Sequence, residues 1–307
     1  MSPTLLLVQT LNGLQLGVLL FLVAAGLTLV FGVMDFVNLA HGVQYMLGAY
    51  LAVQFALWTG SFTLGLLLAI AGTLLAGLLL DALVFRHLYR RSHIDQVLAT
   101  FGVILTLNEA VRLIWGPNPL TLPVPPALAG SIPLMSGLGY PIYRLLILAS
   151  GLLVAALLAI LVTHTRIGMR VRAGATHPAL LAALGVNVDR LFALVFAAGA
   201  MLAGFAGAVA APILAVEPGM GDDILILAFV VVIIGGAGSI RGAALAALLV
   251  GLVDTLGRSL AIGLARGLLR PSAANTVGPA LASMAIYVVM AAILAIRPAG
   301  LLPARGR

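Results

Sequence analysis

Residues 5–33, LLLVQTLNGLQLGVLLFLVAAGLTLVFGV, carry no charged side chain. About 20 mainly apolar residues in a helix cross the hydrocarbon core of a bilayer, so this stretch is long enough to span. A secretory leader begins with a basic segment, whereas the first arginine here is Arg86; the run reads as a retained first span. Further apolar runs lie at 38–58, 62–84, 95–115, 142–163, 189–213, 223–239, 243–262 and 277–296. Together they predict an all-α, polytopic membrane helix bundle of eight or nine membrane segments, forming one domain over 1–307. The breaks within 34–60 and 222–262 leave room for a broken or re-entrant segment in place of a full crossing.

Composition agrees. The chain is 63% apolar and 8% charged, against roughly 25% charged in a soluble domain; a soluble globule, a disordered chain and a coiled coil are all excluded. There is no cysteine, which removes disulfides, thiolate metal sites and cysteine nucleophiles. Every one of the 16 basic residues is arginine. A net charge of +7 invites a nucleic-acid partner, but the arginines are spread between apolar runs, and membrane orientation accounts for them. Arg86, Arg90, Arg91, Arg166, Arg170, Arg172, Arg190, Arg241, Arg297, Arg305 and Arg307 fall on one side of the span model, which the positive-inside rule makes cytoplasmic. Arg112, Arg144, Arg258, Arg266 and Arg270 fall outside or near the outer ends.

Residues 116–140 hold six prolines and no charge. Proline excludes a regular helix, so this is an outer loop, with Trp115 and Tyr140 at its edges as interfacial anchors. Small residues predict close helix packing: Gly13 with Gly17, the stripe Ala203–Gly207–Ala211 with Gly204 beside it, and the cluster Gly235, Gly236 and Gly238. No internal repeat is evident in the residues.

Chemistry-bearing residues are few. Asp35, Asn38 and His41 interrupt a long uncharged stretch, and a charge in mid-bilayer costs about 2.5–3.5 kcal/mol on insertion scales. Two readings stand: an interfacial turn with its polar groups satisfied, or a broken helix lining a substrate route through Asn38, His41, Gly42 and Tyr45. Asn38 and His41, three apart, would share a helical face. No metal site is expected, because His41 has no partner at ligand spacing. Gly235–Gly242 (GGAGSIRG) resembles a phosphate loop only superficially. A Walker A loop needs GxxxxGK[ST], and the chain has no lysine. Asp254 with Arg258, Glu109 with Arg112, and Arg91 with Asp95 have helical ion-pair spacing. Glu217, Asp222 and Asp223 read as an acidic outer loop.

The segment 164–190, HTRIGMRVRAGATHPALLAALGVNVDR, is the longest cytoplasmic link. Pro178 suits a helix start and Gly185 a helix stop. A short exposed helix presenting Leu180, Leu181 and Leu184 needs a cover, which points to a cytoplasmic partner with a groove.

Four blocks now carry a resemblance: Gly26–Gly32 running into Asn38–Gly42 with Tyr45, Gly48 and Tyr50; Thr165–Gly168 with Arg172, Ala173, Ala183–Asn187 and Arg190; Gly204–Gly207; and Gly235–Gly242. Over almost its whole length the chain resembles the permease subunits of ABC importers of the branched-chain amino-acid (LIV) type, of the LivH-like kind. The resemblance implies a transport subunit that is not an enzyme, in the bacterial inner membrane, passing a small polar solute inward by alternating access. It implies a second, LivM-like permease, two cytoplasmic ATPases and a periplasmic binding protein. ATP and magnesium would belong to the ATPases, and this chain would hold no cofactor. A coupling helix, with Arg172, Ala173, Thr176, Pro178, Leu180, Leu181, Leu184 and Gly185, would sit in an ATPase groove. The competing reading is a stand-alone ion-coupled secondary transporter or channel using Asp35, His41 and Asp254.

Overall fold

The computed structural model describes residues 3–135, 138–268 and 270–303; Arg305 and Arg307 lie outside them. Among the described residues the chain is all-α but for one pair of short strands and an isolated bridge. In order run α1 (Pro3–Met34), α2 (His41–Thr59), α3 (Phe62–Leu83), α4 (His93–Trp115), β1 (Ser131–Met135), β2 (Leu138–Pro141), α5 (Ile142–His164), α6 (Arg166–Thr176), α7 (Pro178–Ala183), α8 (Val188–Ala210), α9 (Met220–Gly235), α10 (Ile240–Leu268) and α11 (Pro271–Ile296).

Among the described residues, seven helices are long and apolar enough to cross a membrane: α1, α3, α4, α5, α8, α10 and α11. The expected eight or nine is not reached, because the runs at 38–58 and 223–239 give α2 and α9, which fall outside that set. At ~1.5 Å per residue, the 16 residues of α9 fall short of a core ~30 Å thick. Both helices begin inside the bundle. The Nε2–H of His41, first residue of α2, donates to the Val23 carbonyl, midway along α1 (3.0 Å). Where Gly42 meets Gly221, a Cβ on either would stand 2.2 or 2.1 Å from the other's carbonyl oxygen, so only two glycines allow the crossing.

The neighbours repeat a pattern. α1 packs on α10 as α8 packs on α3; α2 packs on α8 and α3 as α9 packs on α1 and α10. Residues 3–83 and 188–268 thus share one pattern of neighbours that no residue identity had revealed. Gly13 and Gly17 lie against Gly251 and Ala247 of α10, which makes this GxxxG a seam within the chain. Gly204 receives Thr73, and Gly207 the Tyr45 carbonyl. α1, α2 and α8 are mostly buried, while α3, α4, α5 and α11 expose leucine and isoleucine over most of their surface, as lipid-facing helices do.

The ends are fixed by local chemistry. Ser61, Ser92 and Asn187 cap α3, α4 and α8 with side-chain oxygens that accept the N–H groups of Leu64, Asp95 and Arg190. The Ser92 hydroxyl in turn donates to Asp95 (3.0 Å); Asp95 is engaged in this cap, and the expected pairing with Arg91 is not among the ion pairs of the described residues. Asp254–Arg258 (2.8 Å) and Glu109–Arg112 (3.0 Å) do form. At the end of α9, the Leu301 and Leu302 N–H groups donate to the Ile234 and Gly235 carbonyls (2.8 and 3.1 Å). Gly236, with φ 100°, turns beside Ala299 and Pro303, and Gly238 touches Gly32.

The proline-rich stretch 116–140 is not helical, as expected, but β1 pairs antiparallel with β2 within it. Leu120 pairs with Val216, joining the loop to the one before α9. Of the two expected interfacial anchors, Tyr140 turns inward and Trp115 is half-buried. Tyr140 is buried and its hydroxyl donates to Asn12 (3.4 Å), while the Trp115 indole donates to Gln54 (2.9 Å). Asp222 and Asp223 belong to the first turn of α9, not to a free loop.

Candidate functional site

One end of the bundle collects Arg86, Arg90, Arg166, Arg170, Arg172 and Arg190 around α6 and α7. The Thr165 hydroxyl accepts the Gly168 N–H (3.0 Å) and starts α6 with a sharp turn from α5. A Cβ on Gly168 would lie 2.2 Å from the Leu161 carbonyl oxygen. α6 buries Gly168, Val171 and Gly174 and turns its arginines outward. His177 breaks the helix; Pro178 opens α7, where its missing N–H costs nothing. Gly185 closes the turn at φ 84°, and the Val186 N–H reaches back to the Leu181 carbonyl (3.3 Å), a Schellman-type stop.

The expected three-leucine face divides. Leu180 and Leu184 are 60% and 74% exposed, but Leu181 is 6% exposed and points inward, near Gly174 of α6. Six helical residues define no periodicity that could have told them apart. Arg172 and Thr176 are exposed, Ala173 half-buried, Pro178 and Gly185 exposed; the Thr176 hydroxyl donates to the Arg172 carbonyl (3.3 Å).

Behind α7 lies a cavity of about 1020 Å³ lined by Met34, Asp35, Asp81, Arg86, Tyr89, Ala179, Asp189 and Phe192, among others. Its floor is the corner between α3 and α4. Asp81, 1% exposed, ends α3; its carboxylate accepts the Tyr89 hydroxyl and faces Arg86 (3.9 Å). Burial, then the bond to Asp81, pushes the Tyr89 phenol well above its ordinary value, so it stays a donor. The Tyr89 ring meets Phe36 edge-on (5.6 Å) and Phe192 edge-on (5.7 Å); Phe85 meets Phe36 (5.5 Å) and Phe196 (4.8 Å). Gln96, buried in α4, accepts the Val37 N–H (3.1 Å) while its amide donates to the Leu88 and Arg91 carbonyls (both 3.3 Å). Composition singled out none of these corner residues. Asp81 was the one available signal: a carboxylate in an apolar run needs a partner, and Tyr89 is a phenol close by in sequence.

Of the route residues, Asn38, His41, Gly42 and Tyr45 are all buried at the start of α2. α1 ends at Met34, just before Asp35, whose φ is 51°, and residues 35–40 are not helical. The helix is interrupted here, which both readings allow; Asn38 lies in the link while His41 is helical, so the two do not share a helical face. Neither amide atom of Asn38 has a hydrogen-bond partner. Among the described residues no cluster of three metal-ligating side chains occurs.

Against known proteins, residues 9–294 match the family model described as "Branched-chain amino acid transport system / permease component". The chain is 30% identical over 267 residues to the high-affinity branched-chain amino acid transport system permease protein BraD of Pseudomonas aeruginosa, covering 81% of this chain and 85% of that one. To the permease protein LivH of the corresponding Escherichia coli system it is 29% identical over 268 residues, 81% and 84% of the two chains. The LivH of Salmonella typhimurium is 29% identical over 270 residues. No solved structure matches.

Proposed function

Because the chain belongs to the branched-chain amino acid transport permease family, we propose that it is a transmembrane subunit of an ATP-driven ABC importer, passing an amino acid or a related small polar solute inward. In this reading it sits in the bacterial inner membrane beside a LivM-like permease. Two ATPases bind its arginine-rich cytoplasmic end, and a periplasmic binding protein docks at the other. ATP and magnesium are held by the ATPases; without lysine, this chain has no Walker A loop.

The observation that carries the reading is α7: a short, capped helix at the basic end, holding Leu180 and Leu184 in solvent. Apolar side chains so displayed call for a groove, and ATPase movement would reach the bundle through α6 and α8 on either side. The outer rim, where Leu120 pairs with Val216, is the docking edge for the binding protein. Asn38, His41, Gly42 and Tyr45 are assigned to the moving path: the unmet amide of Asn38 gains partners when the bundle opens.

Affinity purification of the tagged chain in mild detergent tests this. ATPases and a second permease should co-elute, and Leu180→Asp with Leu184→Asp should remove the ATPases while keeping the permease pair. A chain that elutes alone and catalyses ion-driven uptake in vesicles would establish the stand-alone transporter instead.

A further inference from the structure

We propose that Tyr89, held by Asp81, is the positioning residue that carries movement of the α7–α8 region to the broken link at 35–40. This deepens the reading above and rests on it. Tyr89 occupies a junction. Its ring is wedged between Phe36 of the link and Phe192 in the first turns of α8, edge-on to both. Its hydroxyl is tied to the buried carboxylate that ends α3. A ring free to swing would let α8 move without the link following; a ring pinned at its far end must pass displacement on. Asp81 supplies the pin, and Arg86 faces the same carboxylate from 3.9 Å away.

The link is fastened to the same corner a second time. The Gln96 side chain accepts the Val37 N–H and donates to two carbonyls of the corner, at Leu88 and Arg91. Residues 36 and 37 therefore follow the corner as one body, and the next residues are Asn38 and, three further on, His41. The cavity behind α7, with Tyr89, Asp81 and Phe192 in its lining, leaves the α8 side of the junction room to move. A tyrosine whose role were only packing would need the ring and not the hydroxyl.

That difference is the test. The chain has no cysteine, so Leu39→Cys, beside Asn38, gives a single labelling site in this subunit. In the purified permease–ATPase complex, with the other subunits free of reactive cysteine, maleimide labelling is followed with and without ATP plus vanadate. The trapped state should change the labelling rate. Tyr89→Phe, which keeps the ring, should leave ATP hydrolysis within about twofold and shrink that ATP-dependent change by about tenfold, as expected for losing a bond to a buried charge. Asp81→Asn, which still accepts from the hydroxyl, should retain most of the change, and Asp81→Leu should match Tyr89→Phe. The proposal is overturned if Tyr89→Phe responds to ATP as the parent does, if the parent shows no response, or if hydrolysis and response fall together in every variant. Absence of any ATPase from the parent complex refutes the importer reading itself, and this proposal with it.

Discussion

Gly207→Ala is the sharpest test of how α8 and α2 meet. A Cβ at Gly207 would lie 1.9 Å from the Tyr45 carbonyl oxygen and 3.2 Å from the Ala49 nitrogen. Carbon and carbonyl oxygen rest at about 3.3 Å, so the helices must part by roughly 1.4 Å. The obstacle is backbone and has no rotamer to yield. α2 is also pinned one turn on, where a Cβ on Gly48 would stand 2.1 Å from the Gly204 carbonyl oxygen. Overpacking of this kind costs ~1–3 kcal/mol, and the upper end applies to a backbone clash. Alanine's better helix propensity returns up to about 1 kcal/mol, leaving a net destabilisation of about 2 kcal/mol. The measurement is unfolding of the purified chain in mixed SDS micelles, followed by tryptophan fluorescence. Gly102→Ala on α4 is the matched control: its Cβ meets nothing within 4 Å, so propensity alone should stabilise by about 0.5–1 kcal/mol. Should both variants shift in the same direction, or Gly207→Ala unfold at the parent's midpoint, the close crossing of α2 and α8 is wrong.

Three further outcomes follow from other contacts. Gly185 stands in open space at φ 84°, so Gly185→Ala should cost ~1–2 kcal/mol from backbone strain alone; ATPase retention on gel filtration should fall while the unfolding midpoint of the bundle stays put. Arg258→Met should destabilise more than Asp254→Leu, by ~1–3 kcal/mol, because the Asp254 side chain is 9% exposed and the Arg258 side chain 55%; the opposite order in SDS titration would contradict the pairing. Trp115→Phe keeps a ring against Tyr50 (5.1 Å) but loses the bond to Gln54, and should cost about 1 kcal/mol in the same titration.

The long spans were legible because an uncharged run of twenty or more residues has few other fates. The two helices outside that set, α2 and α9, were not. The apolar run containing α9 continues past Gly235 into the Gly236–Ser239 turn, and hydropathy cannot see a helix stop made by glycine at positive φ. The same blindness hid the repeated arrangement, since Gly, Ala, Val and Leu satisfy a packed interior in almost any order. Around the arginine-rich end, Pro178 and Gly185 gave the limits of α7 to within two residues, but which leucine turned inward depended on Gly174 and Leu191 on neighbouring helices. The corner at Asp81 and Tyr89 joins residues across a helix end, where no periodic rule applies.

The backbone bonds from Leu301 and Leu302 to Ile234 and Gly235 bear on the order of synthesis. When α9 leaves the ribosome, the groups that will terminate it are two helices away from being translated. Its last turn must wait, open, while α10 and α11 are made and inserted. A chain stopped after Ile296 should therefore insert α1 to α11 yet leave the end of α9 open to added protease, which limited proteolysis would read.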